Sequence, residues 1–530
     1  GPWNHTAMRG GGSVVGEVDF GAAAAWGGLW GGAARDQLAR AFTADHAPAF
    51  AVVDAALARY GERWQAMHRT VCLAHQRGEE SDQVLDQRMA CLGERRTDAA
   101  ALIALLNGGD HAVRARAIDA IGKLSSIDDC DGRAITERAP LPSDPRQRAA
   151  IAEVDAQVAT AKAQSDAARY AACHASAEAA LPAARAADYP PQLARLLFLR
   201  AYCSEDVAAA IADLHAAAAA ERGRDDPTLV RIWSRLEFEL GYRLGKFGDA
   251  AIWNRYAHAA LDRTGGNDEA AYGLYANEGL RLDAEGKYDD ALARFALLEP
   301  IATRLGGPSS PRHAAIEGMV GSALVDAGRP ADALAHFQRS LALDAALHGP
   351  DSPTALDLLG NIASTLLALD RVPEALALFP RMRAIQDAAD PGGDDSFLRH
   401  RYASALRLSG DYAAALVEDL AAEATCTKFA GPDARVCAVA FLGEGWDRMR
   451  VGPPTAAVAA IERALRLYGD QAPAVAWFAL ARARPATERA RAITAGQKAA
   501  AILRADVARG AGDPADLAEI EAWVRDHGGP

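Results

Sequence analysis

Apolar residues recur along this chain at the three- and four-residue spacing of amphipathic helices, and few stretches alternate in the manner of a strand. Alanine, the best helix former, supplies much of the apolar half of the sequence, whereas aromatic residues make up only 6%. The pattern therefore predicts an all-α protein. A chain of 530 residues is too long for one compact core, so we expect several domains or a solenoid.

The helical pattern between Gly307 and Tyr412 repeats with a period of 42 residues, which separates Gly307-Pro308 from Gly349-Pro350. Repeat openings continue at spacings of 40–42 residues, at Pro227, Asn267, Pro308, Pro350, Pro391, Pro432 and Pro473. The second helix of each repeat is predicted to carry an alanine at the same spacing, at Ala250, Ala291, Ala333, Ala375, Ala415 and Ala457. A period of this length predicts stacked helix pairs, because one pair alone cannot bury its apolar face.

Each repeat is expected to join its two helices in the same way. A turn such as Gly286-Lys287-Tyr288 ends the first helix, because glycine readily adopts the left-handed conformation that such an ending requires. The phenylalanine four residues after the repeat alanine, Phe295 or Phe337, is expected to fill the space toward the next repeat. A small residue such as Gly279 lets the helices approach each other.

These positions resemble the tetratricopeptide repeat, whose small–Gly–Tyr–Ala–Phe pattern is met by Gly279, Gly286, Tyr288, Ala291 and Phe295. The 42-residue period is closer to the kinesin-light-chain variety than to the common form of about 34 residues. The resemblance implies an α-solenoid of antiparallel helix pairs, preceded by a smaller helical segment.

The pattern divides the chain into five parts. We expect residues 1–19 to be a disordered tag and linker, because Gly1-Pro2 and the glycine-rich stretch at 9–13 look like a protease scar and a linker. The second part, at 20–143, is an N-terminal helical domain, in which Ser81 is predicted to cap one helix and Asp98 the following one. The remaining parts are degenerate helical repeats at 144–226, tetratricopeptide repeats at 227–472, and a degenerate repeat with a capping helix at 473–530.

A second resemblance spans about residues 20–528. Over this range the chain resembles the C-terminal, non-kinase region of myxobacterial-type serine/threonine protein kinases. In those proteins a kinase domain and a membrane helix precede a helical region of this kind. The residues that carry it are Trp30, Arg69-Thr70-Val71-Cys72, Arg77-Gly78-Glu79-Glu80-Ser81, Leu85-Asp86-Gln87-Arg88-Met89-Ala90-Cys91-Leu92, Cys130, Trp523 and His527. The resemblance implies a sensor or partner-recruiting region in bacterial signalling. No kinase motif is present, and Phe20 stands near a common cysteine position, which argues against transferring the family's disulfide pattern to Cys72, Cys91 and Cys130.

The surface expected to bind a partner is the concave face formed by the first helix of each repeat. The repeat pattern places Asn277 and Asn361 at equivalent positions, where peptide-binding relatives hold an asparagine against the ligand backbone. The candidate groove consists of Asn277, Asp283, Ser322, Asp326, Asn361, Ser364, His400, Arg401 and Arg407. Its arginines could meet a ligand carboxylate bidentately. Each residue also fits an ordinary solvated helix position, and the predicted partner is a protein or peptide.

Little in the sequence indicates catalysis or a cofactor. His68, Cys72 and His75 share one helix face and could, with Cys91, supply zinc ligands, but a partly buried helix face explains the same pattern. Since no nucleophile comes with an orienting group and an oxyanion donor, we expect a non-catalytic scaffold without a cofactor. The alternative is a stand-alone enzyme or metalloprotein that uses the 36–140 helices and recruits substrate through its repeats.

The charge and the apolar content of the chain restrict the kinds of partner and surroundings that it can have. The net charge of −13 disfavours nucleic acid as a partner, and no run of about 20 apolar residues predicts membrane insertion. Cys426 and Cys437, two of seven cysteines, flank a predicted connection and could form a bridge or remain buried thiols. The expected location is periplasmic if a membrane helix precedes this region and cytoplasmic otherwise. The sequence does not indicate an oligomeric state.

Overall fold

The computed structural model describes residues 21–42, 47–131, 139–221, 225–508 and 512–528. Within these ranges every regular element is a helix, and most helices form antiparallel pairs that stack side by side. The predicted all-α solenoid of helix pairs is therefore confirmed. The tag and linker expected at 1–19 lie outside the described residues.

The N-terminal unit, which we define as residues 22–131, has six α-helices among its described residues: α1 (Ala22–Gly27), α2 (Gly32–Ala41), α3 (Ala47–Gln76), α4 (Asp82–Gly108), α5 (His111–Ala115) and α6 (Ala117–Gly122). Its core is built around Trp64, whose buried indole N–H donates to the Leu92 carbonyl at 2.8 Å. Ser81 caps α4 as predicted, since its hydroxyl accepts the Val84 N–H at 3.3 Å. The prediction for Asp98 is wrong, because α4 continues through it unbroken and Asp98 is buried.

The helix pairs follow one another along the rest of the chain. They are α7 (Pro145–Asp166) with α8 (Tyr170–Ala187), α9 (Pro190–Tyr202) with α10 (Val207–Glu221), α11 (Asp226–Glu237) with α12 (Phe247–Thr264), α13 (Asp268–Ala284) with α14 (Tyr288–Ala296) and α15 (Leu298–Gly306), α16 (Pro311–Asp326) with α17 (Pro330–His348), α18 (Ala355–Ala368) with α19 (Val372–Leu376) and α20 (Phe379–Ala389), α21 (Ser396–Leu408) with α22 (Tyr412–Ala430), α23 (Ala438–Val451) with α24 (Pro454–Tyr468), and α25 (Ala474–Ala483) with α26 (Arg489–Ala508). The final helix, α27 (Pro514–Gly528), packs on α26.

Proline explains why two of the second helices are split. A proline removes the hydrogen bond to the carbonyl four residues earlier and clashes with it. α14 ends at Ala296, four residues before Pro300, and α19 ends at Leu376, four residues before Pro380. Four of the prolines predicted to mark repeat openings lie in the connections and not in a helix. The α-helices that follow Pro308, Pro350, Pro391 and Pro432 begin only at Pro311, Ala355, Ser396 and Ala438.

The predicted joint between the two helices of a repeat is present. Gly286 ends its helix with a φ of 79°, and Asp370 adopts the same left-handed conformation, with a φ of 58°, in a repeat without this glycine. Phe295 and Phe337 are buried as predicted. A Cβ atom on Gly279 would lie 2.3 Å from the Phe295 ring, so the absence of a side chain there permits the close approach.

Candidate protein-binding groove

The first helices of the repeats form the inner face of the solenoid. Successive first helices such as α11 and α13, or α21 and α23, pack directly against each other, while the second helices pack against the first helix of the next repeat. The first helices therefore line one continuous surface, the one that the repeat pattern predicts to be concave. The surface has an occupied part and an open part.

The N-terminal unit fills the occupied part. Helix α4 packs along α7, and the apolar core of the unit extends to Ala163 and Ala167. On the next first helix, Arg195 of α9 forms ion pairs with two α4 carboxylates, Glu94 at 3.0 Å and Asp98 at 3.8 Å. Asp98 therefore serves as a docking residue rather than as a helix cap.

Farther along the solenoid, the contacts of the N-terminal unit are polar. The Asn267 amide donates to an Asp129 carboxylate oxygen at 3.0 Å, and the Arg312 guanidinium donates to the Gly122 carbonyl at 3.0 Å. His348, at the end of α17, lies 3.3 Å from an Asp119 carboxylate oxygen. The chain thus folds back onto its own repeats as far as α17.

The inner faces of α18 and α21 carry exposed residues and form the open part of the groove. Ser364 on α18 is exposed, and Phe397 on α21 has 64% of its surface accessible. The Arg401 guanidinium stacks on the Phe397 ring at 4.9 Å and points an N–H at the Ser364 hydroxyl at 3.4 Å. Three of the residues that line this surface therefore already lie together.

Arg401 is a half-buried cation in this open part. Gly360 makes room for it, since a Cβ atom there would stand only 2.0 Å from an Arg401 guanidinium nitrogen. Burial lowers the pKa of Arg401, against the opposing charge of Asp357. Within the described residues no carboxylate lies at ion-pair distance from Arg401, so the guanidinium keeps hydrogen-bond donors for a ligand.

The two equivalent asparagines differ in their surroundings. The Asn277 amide donates to the Ser234 carbonyl of the preceding repeat at 3.2 Å, so it helps to hold two first helices together. No hydrogen bond of the Asn361 side chain occurs in the part of the chain that the structure describes, although its main-chain carbonyl accepts the Thr365 hydroxyl. Asn361 therefore offers a free amide beside Arg401 on the neighbouring helix.

Two of the predicted acidic residues form a pair on adjacent first helices. Burial and the neighbouring Asp326 raise the pKa of Asp283 to about 6, and burial raises the pKa of Asp326. Ser322, on the same helix as Asp326, is exposed. These residues lie on α13 and α16, ahead of the Arg401 region along the solenoid.

His400 and Arg407 have partners within the chain. His400 Nδ1 lies 2.8 Å from one Asp419 carboxylate oxygen, and an Arg407 N–H donates to the other at 2.6 Å. Arg407 also donates to Asp447 of the next repeat at 2.7 Å. Both carboxylates are fully buried, and burial raises the pKa of Asp447 to about 6. The network connects two repeats, so His400 and Arg407 offer less to a ligand than Arg401 does.

Sequence reasoning missed Asp419 although a signal was present. Asp419 follows Ala415 by four residues, which is the position that Phe295, Phe337 and Phe379 occupy in their repeats. An acidic residue at a core position requires buried partners. The register of the repeat could therefore have indicated a polar network between α21 and α23.

The structure does not assemble the metal candidate. Cys91 is bonded to Cys130 and cannot provide a thiolate, while Cys72 is a buried free thiol 3.9 Å from His68 Nδ1. His75 instead lies against the Glu80 carbonyl at 3.4 Å. Among the residues described, no three side chains of the His, Cys, Asp and Glu types are arranged to hold a metal ion.

Two further disulfides join Cys173 to Cys203 and Cys426 to Cys437. The second is the bridge that the sequence allowed as one of two alternatives. None of the described helices is long and apolar enough to cross a membrane.

Comparison with known proteins agrees with the repeat geometry. Residues 282–346 and 314–388 match the family model of the tetratricopeptide repeat. This part of the chain consists of tetratricopeptide repeats. Tetratricopeptide repeats generally mediate protein–protein interactions. No curated protein matches it.

Several solved structures are similar to parts of this chain at low identity. The kinesin-light-chain TPR-like repeats of Podosopora anserina are 16% identical, with a TM-score of 0.33, over 37% of this chain and 92% of that one. A tetratricopeptide repeat protein from Parabacteroides merdae is 16% identical, with a TM-score of 0.38, over 55% and 99%. BtubC (BKLC) from P. vanneervenii is 18% identical, with a TM-score of 0.36, over 42% and 90%.

Proposed function

We propose that the open part of the groove, formed by α18 and α21, binds an extended segment of a partner protein. The observation that carries this proposal is Arg401, a half-buried cation beside an exposed aromatic ring with no carboxylate partner in the described chain. A buried charge is costly unless it is paired, so a site of this kind favours an anionic ligand group.

The neighbouring residues suit a peptide carboxylate. A guanidinium can donate two parallel hydrogen bonds to a carboxylate, and the free Asn361 amide can bind the ligand backbone. Ser364 adds a hydroxyl, and the Phe397 ring offers an apolar surface to a neighbouring ligand side chain. Asp283, Ser322 and Asp326 extend the candidate surface toward α13, while Asn277, His400 and Arg407 support its framework.

We also propose a biological setting. The three disulfides favour an oxidising compartment, because cytosolic reductants keep thiols reduced. Together with the resemblance to the non-kinase region of myxobacterial-type kinases, they support a periplasmic sensor or partner-recruiting region of a bacterial serine/threonine kinase signalling protein. The division at 20–143, 144–226, 227–472 and 473–530 forms part of this proposal, supported by the starts of α7, α11 and α25 near its boundaries.

The proposal is tested with an array of acidic peptides probed with the intact chain. Peptides that bind are then titrated against Asn361→Ala and Arg401→Ala by calorimetry. A hydrogen bond to a charged group contributes about 1.5–3 kcal/mol, so Arg401→Ala should weaken binding by roughly tenfold or more. Asn361→Ala should weaken it by a smaller factor.

Arg371→Ala serves as the matched control. Arg371 is exposed in the turn between α18 and α19 and pairs with Glu374, three residues away. The control should keep the parent affinity. Unchanged affinity of both Asn361→Ala and Arg401→Ala for every selected peptide would refute the proposed groove.

A further inference from the structure

The N-terminal unit is attached to the repeats in two different ways. Near α7 it shares an apolar core with the solenoid, and the buried residues of that core extend no farther than Ala167 among the residues described. Toward α17 the attachment is mainly polar: Asn267, Arg312 and His348 make hydrogen bonds and ion pairs, beside small packing contacts of α3 with α17 and of α6 with α16. The polar end can therefore separate without opening the apolar core.

His348 is the most enclosed side chain of the polar attachment, with 3% of its side chain exposed. Its Nε2 lies between two carboxylates, 3.3 Å from Asp119 of the N-terminal unit and 3.8 Å from Asp344 of α17. Asp344 in turn accepts hydrogen bonds from the Ser352 and Thr354 hydroxyls at 3.2 and 3.0 Å. The imidazole thus lies between the N-terminal unit and α17 and connects the two.

The charge state of His348 decides whether this contact is attractive. As an imidazolium, the ring offsets the repulsion between Asp119 and Asp344, whose charges also act on each other. As a neutral ring, it leaves the two carboxylates facing each other. We propose that His348 is a proton-controlled latch that closes the N-terminal unit over the N-terminal ends of α13 and α16.

The electrostatic surroundings set the direction of the switch. Burial lowers the pKa of His348, while the hydrogen bond and charge of Asp119 and the charge of Asp344 raise it, against a smaller opposing effect of Arg116. The net result is a pKa above the ordinary value of 6.5. A raised histidine pKa means that the contact is fully present below pH 6.5 and is lost as the pH rises through the folded-state value.

The latch would control a different surface from the open groove around Arg401. When it is closed, the segment that contains Asp119, Gly122 and Asp129 lies against Asn267, Glu269 and Arg312. When it opens, these polar groups at the N-terminal ends of α13 and α16 become accessible. The inference concerns access to this surface and does not depend on the ligand proposed for Arg401.

Hydrogen exchange of the intact chain measures the latch. Protection of α6 and α16 is followed between pH 6 and pH 9 and corrected for the intrinsic pH dependence of amide exchange. We expect protection to fall with rising pH, by up to about tenfold for each unit by which the His348 pKa is raised. His348→Gln removes the titrating group, so the protection of α6 should be low and independent of pH.

Two more variants complete the test. Asp119→Asn removes the carboxylate across the interface and should also flatten the pH profile, which covers the case in which His348→Gln does not fold. His336→Gln is the control, because His336 lies on the same helix but pairs with Glu317 inside its repeat at 2.7 Å. It should keep the parent profile. A pH profile of α6 that is the same in the parent, His348→Gln and Asp119→Asn would overturn the latch.

Discussion

The contact between Gly321 and Phe337 provides a quantitative test of how the repeats are packed. Phe337 is 2% exposed, and a Cβ atom on Gly321 would stand 2.7 Å from its ring. Phe337→Ala should cost about 3–5 kcal/mol, since a buried ring is lost and a cavity remains. Gly321→Ala should have an effect whose sign depends on whether the ring is present.

The expected values follow from two opposing contributions. An alanine in place of a helical glycine stabilises a helix by about 0.5–1 kcal/mol. Overpacking against a ring that cannot retreat costs about 1–3 kcal/mol. Gly321→Ala should therefore be neutral or destabilising in the parent. In the Phe337→Ala background the clash disappears, so the same substitution should stabilise the protein, and the coupling between the two sites should be about 1–3 kcal/mol.

Urea denaturation of the parent, the two single variants and the double variant measures this cycle. Far-UV circular dichroism reports the unfolding of the helices, and hydrogen exchange of α16 and α17 shows whether the loss is local to this repeat. If Gly321→Ala stabilises the parent as much as it stabilises Phe337→Ala, the ring does not pack on Gly321 and the register of the repeat is wrong.

Three further predictions concern charged and sulfur-containing groups. Asp419→Ala should cost about 1.5–3 kcal/mol in urea denaturation because Arg407 and His400 lose a buried charged acceptor while Arg407 keeps Asp447, and a cost below about 1 kcal/mol would contradict the network. Thiol titration of the denatured, unreduced protein should detect Cys72 alone, whereas several reactive thiols would argue against the disulfides. The pKa of Asp283 is raised to about 6, so between about pH 4 and pH 6 the folded chain keeps a proton that the unfolded chain has lost. The free energy of unfolding should therefore fall as the pH rises from about 4 to about 6. Asp283→Asn should reduce that fall in pH-dependent melting, and an unaltered profile would assign it to other groups.

Much of the repeat architecture was readable from the sequence because it depends on local geometry. The 42-residue period, the glycine turn at Gly286 and the alanine-to-phenylalanine spacing each follow from how two helices pack. The start of α4 at Ser81 was likewise predictable from a side chain that caps the helix through an N–H three residues away. Asp98 misled the prediction because its role depends on Arg195, which lies nearly a hundred residues further along the chain.

The candidate site was only partly readable for the same reason. Repeat register places Asn277 and Asn361 at equivalent positions, yet one amide is used between repeats and the other is free. That difference arises from the packing of neighbouring helices. The pairing of Cys91 with Cys130 could not be derived either, since spacing alone does not specify connectivity.

The fold-back of the N-terminal unit has a consequence for how the chain folds. In a simple solenoid each repeat touches only its neighbours, so segments can fold and unfold one after another. Here Arg312 reaches Gly122 across 190 residues and Asn267 reaches Asp129 across 138. Such distant contacts add loop-closure entropy and slow the assembly of the first repeats. In the part of the chain that the structure describes, the helices from α18 onward pack on neighbours that are close in sequence, so they should form early and fray first from the C-terminal end.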